Sequence, residues 1–328
     1  MLKTKMHSPL YRAGYFLTYL ADLAVSPLIN PAETLVISGF WRSGTTWLHT
    51  ALADMLNAKM VFEPYHNLTP EMLAVYRHHN LPYQKMKSNM HMPWAEGSVA
   101  GHPLANVIRR ALNSSIRGRW VRLYRPHWHD CFRTRVIVKF TRAALSLRAM
   151  HNTFGMPLLH VYRDPRAVLA SVIYKTGNMG GNFMGFNLVQ HTLELPDGRA
   201  DYFRQWEGEI RTLQKQILLA RVTAWWALTE RRLLDTFPDL PPRTCFVQYE
   251  KLAAAPETEI LPVLAALGLP IPSDIQLAAL LADSPTTYGE AQSSAQKISG
   301  WRGLLSTGEI ATIEAITRAF GLADRLVD

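Results

Sequence analysis

Residues 34–47 read TLVISGFWRSGTTW. An apolar, β-branched run from Thr34 to Phe40 leads into a turn between Gly39 and Gly44, and a helical pattern follows over Thr45–Leu56. Glycine lets the chain turn tightly, and a helix that starts directly afterwards presents its free N–H groups to an anion. Strand, loop and helix in this order make a P-loop-like phosphate site. Set against the nucleotide-kinase pattern GxxxxGK[ST], Gly39, Gly44 and Thr46 fit, while Thr45 occupies the lysine position. That lysine would meet the β- and γ-phosphates of a triphosphate, and the hydroxyl beside it would hold Mg²⁺. Here the cation is Arg42, three residues upstream. Such a loop suits a shorter donor, with one phosphate joined to one transferable group and no metal.

Working outward, apolar runs at Lys59–Phe62, Arg135–Phe140, Leu158–Arg163 and Thr244–Tyr249 read as further strands. They show little polar alternation, as expected where both faces of a sheet are covered. Helical patterns at Ala143–Phe154, Arg166–Tyr174, Ala200–Phe237 and Glu257–Leu267 alternate with them. The expected fold is α/β: a single domain over 1–328 with a central parallel sheet flanked by helices. Ligands of such sheets bind at the carboxyl ends of the strands. A second strand–turn–helix element, LLHVYRDPRAVLAS over 158–171, places Arg163 at a strand end and Ser171 about two helical turns further on. Both could face one phosphate. In a Mg-ATP kinase Asp164 would be the metal ligand instead, a reading that the missing loop lysine disfavours.

At these residues the chain resembles the PAPS-dependent sulfotransferases, whose phosphosulfate loop reads [KR]SGT[TS][WFL] (PAPS is 3′-phosphoadenosine 5′-phosphosulfate). The resemblance covers residues 34–63, 135–175 and 244–305, taken as the nucleotide-binding core. It implies that Arg42, Ser43, Gly44, Thr45 and Thr46 hold the 5′-phosphosulfate and that Arg163 and Ser171 hold the 3′-phosphate. Gln248-Tyr249-Glu250-Lys251-Leu252 is similar to a late supporting strand of the family, with Tyr249 and Glu250 structural. Lys297 and Arg302 fall where the family closes a loop over the nucleotide, so one of them is expected near the 3′-phosphate. The cytosolic branch uses a histidine in a KTH run as base; here Lys139-Phe140-Thr141 puts a threonine there. The carbohydrate and tyrosylprotein branches use a glutamate after the next strand, which implies Glu63 as general base, with His66 in reserve. A carboxyl at an apolar strand end is expected to have a raised pKa. Arg42 and Lys139 would neutralise charge on the transferred group and the leaving phosphate.

The formal net charge of +9 favours an anionic partner without choosing one. Residues 64–130 read as an acceptor-binding insertion. Eight arginines between Arg109 and Arg135 face one acid, Asp130, either as a solvated face or as a groove for an anionic glycan or glycolipid. Trp94, Trp120 and Trp128 could stack on sugar rings. The histidines match no zinc template, so no metal is expected. Two distant cysteines, Cys131 and Cys245, argue for a reducing, cytoplasmic setting. Residues 8–30 read as an amphipathic helix packed on the domain, with peripheral membrane contact as the second reading. A non-enzymatic basic protein binding nucleic acid or lipid is the remaining alternative, with nucleic acid not expected as a partner.

Overall fold

The computed structural model describes residues 9–66, 69–78, 90–125, 127–175, 183, 185–271, 273 and 298–327. Five short strands, β1 Leu35–Ser38, β2 Lys59–Phe62, β3 Val136–Phe140, β4 Leu158–Tyr162 and β5 Thr244–Gln248, form one sheet. All four pairings are parallel and the order is β2-β3-β1-β4-β5. β1 therefore lies at the centre, which its sequence anticipates: every residue of LVIS is buried.

The alternation of side chains along the strands assigns the two faces. Leu35, Ile37, Ile137, Leu159 and Val161 pack with the helix Thr45–Met55 and the helix Pro256–Ala266. Val36, Val138 and Leu158 face the other way, against the helix Leu147–Phe154 and the helix Leu104–Leu112. The helices after β1 and after β3 thus cover opposite faces, and a crevice opens at the carboxyl ends of the central strands. A third apolar cluster joins Val168, Trp225, Trp226, Ile313 and Trp301, tying the helix after β4 to the long helix Leu218–Thr236 and to the carboxyl-terminal helix Thr307–Ala319.

Three expected helices differ. The pattern at Ala200–Phe237 is broken into Arg199–Phe203, Glu207–Gln214 and Leu218–Thr236. The second piece ends where the Gln214 side chain accepts the Leu188 N–H (2.6 Å), a tertiary tie that periodicity does not reveal. The helix after β4 is α-helical only over Pro165–Ala170 and continues as a π-turn over Ser171–Lys175. The helix after β3 starts at Leu147 rather than Ala143.

Candidate active site

The loop after β1 carries its strain where the sequence put its glycine and its cation. Gly44 has φ 85° and Arg42 has φ 69°, with Ser43 between them. Residues alternating into the left-handed region curl their N–H groups towards one point, as in an anion nest. Gly44 is obligatory for a second reason: a Cβ there would lie 2.3 Å from the Tyr249 ring. At Gly39 a Cβ would lie 2.5 Å from the Val161 carbonyl oxygen, so the loop also presses on β4. Ser43 Oγ is buried inside the loop and makes no hydrogen bond within the described protein. An orphaned buried hydroxyl at a nest and a helix N-terminus fits an anionic ligand.

The two strand–turn–helix elements meet here. Arg42 Nε donates to Ser171 Oγ (2.8 Å), and Arg163 Nη1 donates to the Arg42 carbonyl (2.9 Å). The Arg163 guanidinium lies over the Tyr249 ring, 4.3 Å from its centroid, and its Nε is 3.8 Å from Glu250 Oε1. The same carboxylate oxygen accepts the Asp164 N–H (3.1 Å). Burial raises the Glu250 pKa, against the Arg163 charge. Tyr249 and Glu250 therefore shape the Arg163 corner from beneath.

On the other side of the loop, Lys139 Nζ donates to Thr46 Oγ1 (2.7 Å) and sits 3.2 Å from Glu63 Oε1. Its ammonium lies 4.0 Å from the centroid of Phe62, the last residue of β2. Glu63 follows with φ 48°, a left-handed conformation unusual for glutamate. Its N–H still donates to the Lys139 carbonyl (2.9 Å), so the β2–β3 ladder holds while the side chain swings towards the loop. Its carboxylate accepts from Thr141 Oγ1 (2.7 Å) and Thr141 N (3.1 Å), and pairs with Arg142 Nη1 (3.2 Å).

These contacts correct one expectation. Burial does push the Glu63 pKa up, but the Lys139 and Arg142 charges and the two Thr141 donors outweigh it and hold the carboxyl below its ordinary range. Burial likewise lowers the Lys139 pKa, with the Glu63 charge opposing. His66 is stacked on Trp120 with centroids 4.2 Å apart, and burial together with the Arg142 charge lowers its pKa to about 3. His66 is therefore neutral and weakly basic.

Arg42, Ser43, Gly44, Thr45, Thr46, Glu63, Lys139, Arg163 and Ser171 thus converge on one end of the sheet. Lys297 lies outside the described residues. Arg302 is exposed, with its guanidinium over Trp301. Two residues in the constellation were not singled out from the sequence. Thr141 is no general base, yet it is the main hydrogen-bond donor to Glu63, and Arg142 is the carboxylate's second cation. The signal available was their place immediately after Lys139 at a strand's carboxyl end.

Five of the eight arginines of this segment are paired with acids within the protein. Arg122 and Arg125 each reach Asp22 at 2.8 Å, Arg110 and Arg117 pair with Glu71, and Arg133 pairs with Asp130. Neither a continuous solvated face nor a groove lined by all eight describes it. Trp94 is buried under the Arg232 guanidinium, so it offers no free ring face to a sugar. Among the described residues no group of three His, Cys, Asp or Glu side chains is placed to hold a metal ion, and no helix is long and apolar enough to cross a membrane.

A model of the sulfotransferase family matches residues 34–273. No curated protein matches the chain. Among solved structures it is similar to the sulfotransferase domain from the curacin biosynthetic pathway, with 14% identity, 88% of this chain and 97% of that one covered, and a TM-score of 0.45. Sulfotransferase STF1 from Mycobacterium tuberculosis is 15% identical over 94% of this chain and 83% of that one, with a TM-score of 0.43. A mouse sulfotransferase complexed with PAP is 10% identical over 91% and 88%, with a TM-score of 0.39.

Proposed function

Since the chain belongs to the sulfotransferase family, we propose that it transfers a sulfuryl group from PAPS to a hydroxyl of a carbohydrate or glycolipid, without a metal. The observation that carries the reading is the junction of Arg42 with Ser171 and Arg163, which merges two anion-binding elements into one site. A donor with phosphate at both ends of a nucleoside needs such a pair. A triphosphate needs the loop lysine that Thr45 replaces.

When bound, the donor supplies the sulfuryl group and a phosphate leaving group. The nest around Ser43, the Arg42 cation and Thr46 hold the 5′ end, and Arg163 and Ser171 hold the 3′-phosphate. Glu63 is the proposed base: it is ionised at neutral pH and can take the acceptor's proton on a carboxylate oxygen. Its low basicity is tunable. Lys139 is shared between the loop and Glu63, and it turns towards an anion held in the loop. Glu63 then keeps Arg142 but loses the Lys139 charge, and its pKa rises as the acceptor arrives.

The test is transfer of labelled sulfuryl from PAPS to a panel of uronic-acid glycans, glycolipids and neutral alcohols in the presence of a metal chelator. Transfer to the glycans or glycolipids is expected. Turnover that requires Mg²⁺ and ATP would overturn the assignment.

A further inference from the structure

The amino-terminal helix Pro9–Val25 is locked in rotation about its own axis. Asp22, fully buried, receives Lys59 from β2 and both Arg122 and Arg125 from the segment 120–125. Tyr15 Oη accepts the Gly118 N–H (2.9 Å), and the Arg122 guanidinium lies over both Tyr15 and Tyr19. With that face fastened, the opposite one points outward: Phe16 is 56% exposed and Leu17 66%, with Leu20 and Leu23 exposed along the same side and Leu28 just beyond. The short helical turn Trp128–Phe132 packs against this helix and leaves Trp128 73% and Phe132 57% exposed. Seven of the twelve exposed large apolar side chains among the described residues belong to this one region, so the exposure is not the scattered kind every surface shows.

Charge decides what could cover it. Across residues 9–30 and 109–135 the only acids are Asp22 and Asp130, and both are buried and paired. Arg109, Arg135, His127 and His129 are exposed in the same segments, while Arg117 is paired with the buried Glu71. Asp54, which faces Arg133 and His127, is an exposed acid close to this rim. A second copy of the chain would bring two cationic rims against each other, which opposes self-association. An anionic bilayer satisfies both features: apolar and aromatic side chains enter the headgroup–acyl boundary while arginines meet phosphates.

We propose that this face docks the protein on an anionic lipid surface, with Leu17, Leu20, Trp128 and Phe132 inserted and Arg109 on headgroups. The inference is independent of the sulfuryl-transfer reading, since none of these residues belongs to the phosphate site. It is tested by flotation of the full chain with vesicles of phosphatidylcholine alone and of phosphatidylcholine mixed equally with phosphatidylglycerol. Binding to the mixed vesicles, weakened by salt, is expected, and Leu17→Glu/Trp128→Glu should lower it by about tenfold or more while far-UV circular dichroism is unchanged. Should the double variant misfold, Leu20→Gln alone provides the same comparison. Failure of the wild type to float on the mixed vesicles would overturn the proposal. So would equal binding by the variant, or a stable dimer in light scattering that the variant abolishes.

Discussion

Arg42 and Ser171 are 129 positions apart in the chain, and Arg42 Nε donates to Ser171 Oγ at 2.8 Å. The first belongs to the loop after β1, the second to the π-turn after β4, and the adjacency of those strands in the sheet brings them together. The loop after β1 and the corner after β4 are thereby one structure.

Ser171→Ala removes the acceptor of this bond and a hydroxyl of the proposed 3′-phosphate site. Affinity for 3′-phosphoadenosine 5′-phosphate should fall by about tenfold, the worth of one hydrogen bond to a charged group. Affinity for adenosine 5′-phosphosulfate, which lacks the 3′-phosphate, should fall less. Competition binding of the two nucleotides to wild type and variant measures the difference.

Glu63 is buried with cations on both sides, so removing its charge leaves Lys139 and Arg142 uncompensated. Glu63→Gln should cost about 3–5 kcal/mol in chemical denaturation at neutral pH. The folded-state pKa of Glu63 lies below its ordinary value. Its ionised form therefore contributes its full stabilisation above the ordinary carboxylate range, and the contribution is lost as pH falls through the lowered pKa. The stability gap between wild type and Glu63→Gln should accordingly be constant near neutrality and close in acid. A gap that closes already at or above the ordinary carboxylate range would contradict the charge arrangement. In turnover, the acid limb of kcat/KM, which reports the free enzyme, should lie below that of kcat, where Lys139 is drawn to the loop.

Gly44→Ala meets two obstacles, the left-handed backbone at φ 85° and the Tyr249 ring 2.3 Å from the new methyl group. The backbone alone costs about 1–2 kcal/mol. Nucleotide binding should be lost while the fold survives, which calorimetric titration and a thermal melt check together. Unaltered binding would show that the loop's curvature is not required.

The strand, tight loop and helix over 34–56 were legible in the sequence because the pattern is local: a strand, two glycines, an arginine and a helix start lie within fourteen consecutive letters. The parallel sheet was legible from the unbroken apolar runs, and the strand ends differ by only a residue or two. What was not legible depends on pairings across the chain. Asp22 gave no sign that it neutralises Lys59, Arg122 and Arg125, so the arginine-rich segment read as a surface when much of it is an internal clamp. Glu63 sits among apolar neighbours in sequence, which suggests a raised pKa. The opposing charges come from Lys139 and Arg142 on β3 and the turn after it, placed beside β2 only by the strand order.

The central claim is one nucleotide site built from the loop after β1 and the corner after β4. Calorimetric titration of 3′-phosphoadenosine 5′-phosphate, without metal, into wild type and Arg163→Ala tests it most directly, with a thermal melt to show that the variant is folded. Micromolar binding to wild type, weakened by about a hundredfold in the variant, is the predicted result for loss of a charged phosphate contact. No binding to wild type, or equal binding to both proteins, would contradict it.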